Sequence, residues 1–393
     1  MDDLVSRLSQ SQIFSTQECV RRSPANFSLS QHDDSLKLIG HKHASMTKAP
    51  DHIALRETSI KRGLDFIYGV ANTRAGFDSY GSLLICCFAL VGATSRDARL
   101  RQLGRLRAQK LARRWHRLHP HLPQGAGPDL LPKFVLVRYA LSRIGLRDAT
   151  LNAEIRNAAK RFSAQDLLGF DPASEPPVNN LPQPCDCGLK NQRGRTFCKQ
   201  CRTRLEIYSR YRVWMGALAS TYISERCGVF FGARYPAVLK WLPAMRPYPV
   251  GADEDIELVR DAVYAVTHVV YTLNDYGTYR LRPGWLPHEF EFLRANVAAA
   301  CERKDPELLG ELLDSLKAFG LRDSHPLLIR GSKYLVEAQN EDGSWGDPDE
   351  ENIRRRCHTT WTAIDGLRNY AWRAERLSRP ELKTMLKECA RAL

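Results

Sequence analysis

Four cysteines fall in two close pairs, Cys185-Asp186-Cys187 and Cys198-Lys199-Gln200-Cys201, with ten residues between the pairs. Four thiolates so arranged suit one tetrahedral zinc ion, and a shell closed by four protein ligands is structural rather than catalytic. Gly188 allows a tight turn after the second ligand. Lys190, Arg193, Arg195, Lys199, Arg202 and Arg204 surround the pairs and offset the charge of a tetrathiolate. One zinc per chain is therefore expected at Cys185, Cys187, Cys198 and Cys201. Free thiols, a disulfide pair and a basic ribbon that grips nucleic acid are the alternatives. No recognition helix or aromatic stacking platform accompanies the ribbon.

A second set of residues is marked by repetition. His268-Val269-Val270-Tyr271-Thr272-Leu273-Asn274-Asp275 aligns with His358-Thr359-Thr360-Trp361-Thr362-Ala363-Ile364-Asp365, with His first, an aromatic fourth, Thr fifth and Asp eighth. Seven residues are two helical turns, so each His shares a face with its Asp. Either these residues pack and cap helices, or they deliver His268, His358, Asp275 and Asp365 to a common chamber. Cys357 adds a thiol beside His358, able to act as nucleophile or ligand if its pKa is lowered. A second, catalytic metal would draw on Cys357, His358, His268 and Cys301, with one position left for water or substrate. Dinucleotide, Walker, nucleophile-elbow and zincin motifs are absent. The run His116-Arg117-Leu118-His119-Pro120-His121 suits a solvated helix end better than a metal site.

The elements that must hold these residues are helices. From about Asp51, apolar residues recur at three- and four-residue spacing in Leu130–Leu146, Tyr208–Tyr222, Ile256–Leu273, Glu307–Phe319 and Thr359–Trp372, without long alternating runs. Residues 1–50 read as a poorly ordered leader, rich in Ser, Gln, Asp and His. Five prolines between Asp171 and Pro184 introduce the cysteines, so 171–207 reads as a linker and zinc insertion between body segments 51–170 and 208–393. Across 393 residues, 58 Lys and Arg exceed 44 acids by 14. Arg96–Arg117 alone carries nine basic residues and one acid. Leu100, Leu103, Leu106, Leu111 and Trp115 give this segment a buried side. Its other side is a solvated face or a surface for an anionic partner. The longest apolar run, Leu83–Val91, is too short to cross a bilayer, and the first 20 residues lack a signal-peptide core. Scattered thiols agree with a cytoplasmic address.

Arg330-Gly331-Ser332-Lys333-Tyr334-Leu335 continues through Gln339 to Gly343-Ser344-Trp345. This pattern resembles the QW motif of squalene and hopene cyclases: basic-Gly, aromatic-aliphatic, Gln, Gly-x-Trp. A degenerate copy begins Arg62-Gly63-Leu64-Asp65-Phe66-Ile67 and sets Phe77 where Trp345 stands. Each copy precedes an apolar helix, Tyr80–Val91 or Thr359–Leu367. The resemblance implies an all-α fold, the α/α toroid of terpenoid cyclases and protein prenyltransferase β-subunits. It also implies that Trp345 is structural and that Gln339 bonds orphan backbone groups.

The activities of those families are not carried over with the fold. Asp347-Pro348-Asp349-Glu350 lies just after Trp345, away from the position of a D-x-D-D acid, and Asp253-Glu254-Asp255 suits a helix N-terminus. No D-D-x-x-D occurs. Cys357-His358-Thr359-Thr360-Trp361 is similar to the His-bearing zinc helix of prenyltransferases, and its Cys-His pair to lanthionine synthetase cyclases, yet no Asp-x-Cys pair accompanies it. The function expected is an enzyme acting on an apolar or mixed small molecule or peptide in a central cavity, by cyclisation, transfer or metal-assisted rearrangement. The alternative is a non-catalytic helical scaffold whose basic helix and ribbon bind a protein or nucleic acid. Converging His, Asp, Cys and aromatic side chains would favour the enzyme, and a filled aliphatic centre the scaffold.

Overall fold

The computed structural model describes residues 52–392, except 183–184, 186–188, 190, 193 and 250–254. The expected leader, residues 1–50, and the expected ligand Cys187 lie outside the described residues. The chain is all-α. In chain order the helices are α1 (His52–Asn72), α2 (Arg74–Thr94), α3 (Ala98–Leu118), α4 (Leu131–Arg143) and α5 (Ala149–Ala159). A short α6 (Ala164–Leu168) precedes the cysteine segment, and α7 (Arg210–Arg226), α8 (Tyr235–Leu239) and α9 (Ile256–Leu273) follow it. The C-terminal third holds α10 (Pro287–Glu302), α11 (Pro306–Ala318), α12 (Pro326–Glu337), α13 (Ile353–Leu367) and α14 (Lys383–Arg391).

Local chemistry sets most starts. Thr73, Asp97, Ser209, Asp255, Asp305 and Asn352 each accept a first-turn N–H of α2, α3, α7, α9, α11 and α13. Asp255 thus has the N-terminal role read from the sequence. The segment expected over Thr359–Trp372 instead begins at Ile353, where Asn352 caps it, and ends at Leu367. Phe77 does not sit in a turn as Trp345 does. Thr73 interrupts the helix for one residue only, so Phe77 falls inside α2.

Six helices pack in cyclic order: α2 on α4, α4 on α7, α7 on α9, α9 on α11, α11 on α13, and α13 back on α2. The rest lie outside them: α1 between α13 and α2, α3 on α2, α5 on α4, α8 on α7, α10 on α9 and α11, α12 on α11 and α13. At the α11–α13 crossing the backbones touch. A Cβ on Gly310 would stand 2.4 Å from the Thr362 carbonyl oxygen, and one on Gly366 2.8 Å from the Gly310 Cα. Only glycine permits that approach.

Among the described residues, strands are confined to pairs of two residues. Leu181–Pro182 (β1) pairs antiparallel with Ile207–Tyr208 (β2) and closes the cysteine segment at its base. Tyr279–Arg280 (β3) runs parallel to Ala374–Glu375 (β4). Ser95 bridges Tyr370 in the same seam. By length and composition α2 could cross a membrane, but most of it is buried against its neighbours.

The basic segment Arg96–Arg117 forms α3, and part of its charge is structural. Arg107 donates to the Leu64 carbonyl and pairs with Asp65, and Arg114 donates to the carbonyls of Ala71, Asn72 and Thr73 at the end of α1. Cations there satisfy orphan carbonyls and complement the dipole. Leu111 and Trp115 are buried as the spacing predicts. Leu106 is not: it faces solvent at 58 % exposure, while Gly104 and Ala108 take the core side.

Candidate functional site

The six cyclic helices line a partly open cavity of about 290 Å³, just under the roughly 300–1,000 Å³ range of ligand pockets. Its walls divide by chemistry. Leu83 and Leu90 of α2, Val135 and Leu136 of α4, and Ile223 of α7 form an apolar side. His268 and Tyr271 of α9, Glu311 and Asp314 of α11, and His358 and Asp365 of α13 form a polar side, with Arg368 and Tyr370 from the segment after α13.

His268 and His358 line the same cavity, as their matching positions in the repeat predict. Their states differ. The Nδ1 of His268 lies 2.8 Å from the Tyr264 carbonyl oxygen. A carbonyl only accepts, so Nδ1 carries the proton and Nε2 keeps a lone pair. Burial lowers the His268 pKa to about 4, against the backbone bond and with the help of the charge on His358. It is a neutral imidazole at pH 7. His358 Nδ1 lies 2.7 Å from Glu307. Burial pulls its pKa down, but the charge and hydrogen bond of Glu307 outweigh burial and raise it above the ordinary value.

Glu307 is the buried anchor of this corner. It accepts from Tyr264 Oη (2.5 Å) and Thr359 Oγ1 (3.1 Å), and Arg260 stands 3.8 Å away. Burial alone would raise its carboxyl; His358, Arg260 and Tyr264 together hold it well below the usual range. Glu311 and Asp314 lie one and two turns further along α11, on the face turned to α9 and α13. The hydroxyl of Thr267 donates to Glu311 at 2.5 Å, and no cation lies within ion-pair distance of it among the described residues. Burial raises Glu311 to about 7 against the nearby charge of His358. Asp314 also rises to about 7, by burial and then by the charge of Asp365, opposed by Lys317 and Arg368.

The neighbouring cations are engaged elsewhere. Arg368 pairs with Asp365 at 2.5 Å, reaches Thr94 Oγ1 at 2.9 Å and stacks 3.9 Å over the Tyr370 ring. Lys317 Nζ donates to the carbonyls of Asp365, Gly366 and Arg368 at the end of α13.

The other residues singled out in the sequence fall elsewhere. Asp275 is not on a helix face with His268. α9 ends at Leu273, and Asp275 takes a left-handed backbone (φ 53°) and pairs with Arg143 at 2.6 Å and Tyr222 Oη at 2.8 Å. Asp365 does remain on α13 and lines the cavity. Cys357 turns away from it toward a small apolar gap with Ile67, Leu84 and Cys87, where burial pushes its thiol up to about 12. A thiol so raised is no nucleophile at neutral pH. Cys301 lies in the last turn of α10, outside the cavity lining. His121 bonds Glu154 and His119 packs on Trp115, so that His-rich run closes a helix end.

In the cysteine segment, the Sγ atoms of Cys185, Cys198 and Cys201 all lie within 4.8 Å of one another. Such spacing fits a shared metal ion, because thiolates about 2.3 Å from zinc stand roughly 3.8 Å apart. Hydrogen bonding, first from the Cys201 backbone, lowers Cys198 to about 6. The site can hold a metal ion.

A family model described as a domain of unknown function (DUF6895) matches residues 184–364, from the cysteine segment into α13. Comparisons with curated proteins and with solved structures give no match.

Proposed function

We propose that the chain is an enzyme of the α/α toroid class that transfers a proton to or from a compact, largely apolar small molecule in the central cavity. Two features support the toroid: the cyclic packing of six inner helices and the fully buried, QW-like Trp345, whose Nε1 donates to the Leu335 carbonyl of α12. The observation that carries the enzymatic reading is the set of ionisable groups on one wall of a mostly apolar chamber, pushed apart in proton affinity. Asp314 is a carboxylic acid that still holds its proton near pH 7, beside the Asp365–Arg368 pair and Tyr370. His268 presents a lone pair. Groups so separated are how one site supplies both an acid and a base. We assign Asp314 as proton donor, His268 as acceptor, and Glu307 as the positioning residue of His358. The cavity is neither filled nor all-aliphatic, which favours this reading over the scaffold.

The test uses linear and cyclic isoprenoid alkenes and alcohols, incubated with the protein in D2O and followed by mass spectrometry. Conversion with deuterium incorporation is expected, and Asp314→Asn should lower it about 100-fold or more. Absence of conversion, or a fully active Asp314→Asn, would refute the proposal. The same variant has a second readout. A carboxyl whose folded pKa is raised costs stability as pH climbs from about 4, its unfolded value, to about 7. Asp314→Asn should therefore gain stability over the parent between pH 4 and 7, then hold that gain above it.

We further propose zinc as the metal of the cysteine segment, with Cys187 as fourth ligand and a structural role. Two close pairs of soft ligands and a stem closed by β1 and β2 support it. Cys198→Ser should abolish stoichiometric zinc in metal analysis and expose residues 181–208 to protease while the helical signal stays unchanged. Retention of one zinc per chain in that variant would refute the assignment.

A further inference from the structure

We infer that the outer face of α3 docks on an anionic lipid surface. The stripe farthest from the core runs Arg99, Leu106, Lys110, Arg113, Arg117, at steps of seven, four, three and four residues, so that all five point the same way. It lies opposite the buried side formed by Gly104, Ala108, Leu111 and Trp115. From Arg99 to Arg117 it spans about 27 Å at 1.5 Å per residue. All five residues are exposed.

These cations differ from the rest of α3. Arg101, Arg105, Arg107 and Arg114 are bound to backbone carbonyls or to Asp65. The side chains of Arg99, Arg113 and Arg117 make no hydrogen bond or ion pair among the described residues. Lys110 only approaches the Tyr68 ring, at 5.5 Å. A single helix face with four outward cations and no acid is complementary to a plane of phosphates.

Leu106 decides between the possible polyanions. It sits within the stripe, 58 % exposed, one turn before Lys110 and two turns from Arg99 and Arg113. An apolar side chain there gains by entering the acyl boundary of a bilayer, whereas it adds nothing against a duplex backbone. The stripe offers no aromatic ring on which a base could stack. Each Lys or Arg held against an anionic leaflet adds a modest, salt-screened attraction, so several on one face make a reversible contact. The inference stands apart from the catalytic proposal and survives its failure.

The experiment is co-sedimentation of the full chain with phosphatidylcholine vesicles, with and without about one third phosphatidylglycerol. Binding is expected only to the anionic vesicles, and it should fall as salt rises. The triple change Arg99→Gln, Arg113→Gln, Arg117→Gln should weaken it about 100-fold, with the melting temperature unmoved because these side chains hold nothing in the fold. Leu106→Ser should weaken vesicle binding severalfold and leave binding to a short RNA duplex unaltered. No binding to anionic vesicles, equal binding by the triple variant, or an RNA duplex bound more tightly than vesicles with Leu106→Ser silent, would each overturn it.

Discussion

Replacing Trp345 by alanine is expected to cost about 3–5 kcal/mol of folding stability, the range for removing a large aromatic side chain from a packed site. The indole is fully buried. Its Nε1 donates to the Leu335 carbonyl at 2.6 Å, so α12 holds one edge. The ring lies under α1, where a Cβ on Gly63 would come within 2.7 Å of a ring carbon. Neighbouring bonds tie the same place: Gln339 donates to the Ser59 and Gly343 carbonyls, and Arg62 to those of Asn340 and Glu341. Truncation thus opens a void between α1, α12 and α13 that these tethers keep from collapsing. Trp345→Phe keeps most of the area and should lose less. Chemical denaturation provides the check, and a loss under about 1 kcal/mol for alanine would show that the clamp is not structural.

The second large effect is expected at Glu307. Removing one partner of a buried ion pair costs about 3–5 kcal/mol, because the remaining charge is stranded. Glu307→Ala strands His358 and withdraws the acceptor of Tyr264 and Thr359 together. Glu307→Gln keeps the shape and removes the charge. Its pH dependence follows from two opposite shifts. The depressed Glu307 carboxyl stabilises the fold above about pH 4.3 and loses that contribution as pH falls. The raised His358 stabilises it below about pH 6.5 and loses its part as pH rises through the folded pKa. The gap between parent and Glu307→Gln should be widest between about pH 4.5 and 6.5 and narrow on both sides. A gap independent of pH would mean that the pair is not charged in the fold.

The helical body could be read from the sequence because its signals are local. Ile256–Leu273 came out with its observed ends, since Asp255 caps it and its apolar period is unbroken. The cavity was half legible. The repeat brought His268 and His358 to one chamber, but it also paired each with an Asp by spacing along a helix, and α9 stops before Asp275 is reached. The acids of α11 went unread. Glu307, Glu311 and Asp314 recur once per turn, which by itself resembles a solvent face. The missed signal is that Leu308, Leu309, Leu312, Leu313 and Leu316 surround them, so the helix has no outer side. All its residues are buried, so Glu311 and Asp314 face the cavity and Glu307 is held by His358, Tyr264 and Thr359.

The seam that joins residues 94–96 to 369–371 sets an order of events in synthesis. Arg96 donates its N–H to the Asn369 carbonyl, and Ala371 to that of Thr94, across some 275 residues of intervening chain. Closing a loop of that length carries an entropic cost that no local contact offsets. Until it forms, α2 lacks its neighbour α13 and the chamber has no Arg368 or Tyr370 at its base. Without them the Asp314 carboxyl loses part of the burial that raises its pKa. The burial that raises the Asp314 carboxyl is complete only when these two distant stretches meet, so a ribosome-bound chain that has not yet released residue 371 lacks part of the cavity wall.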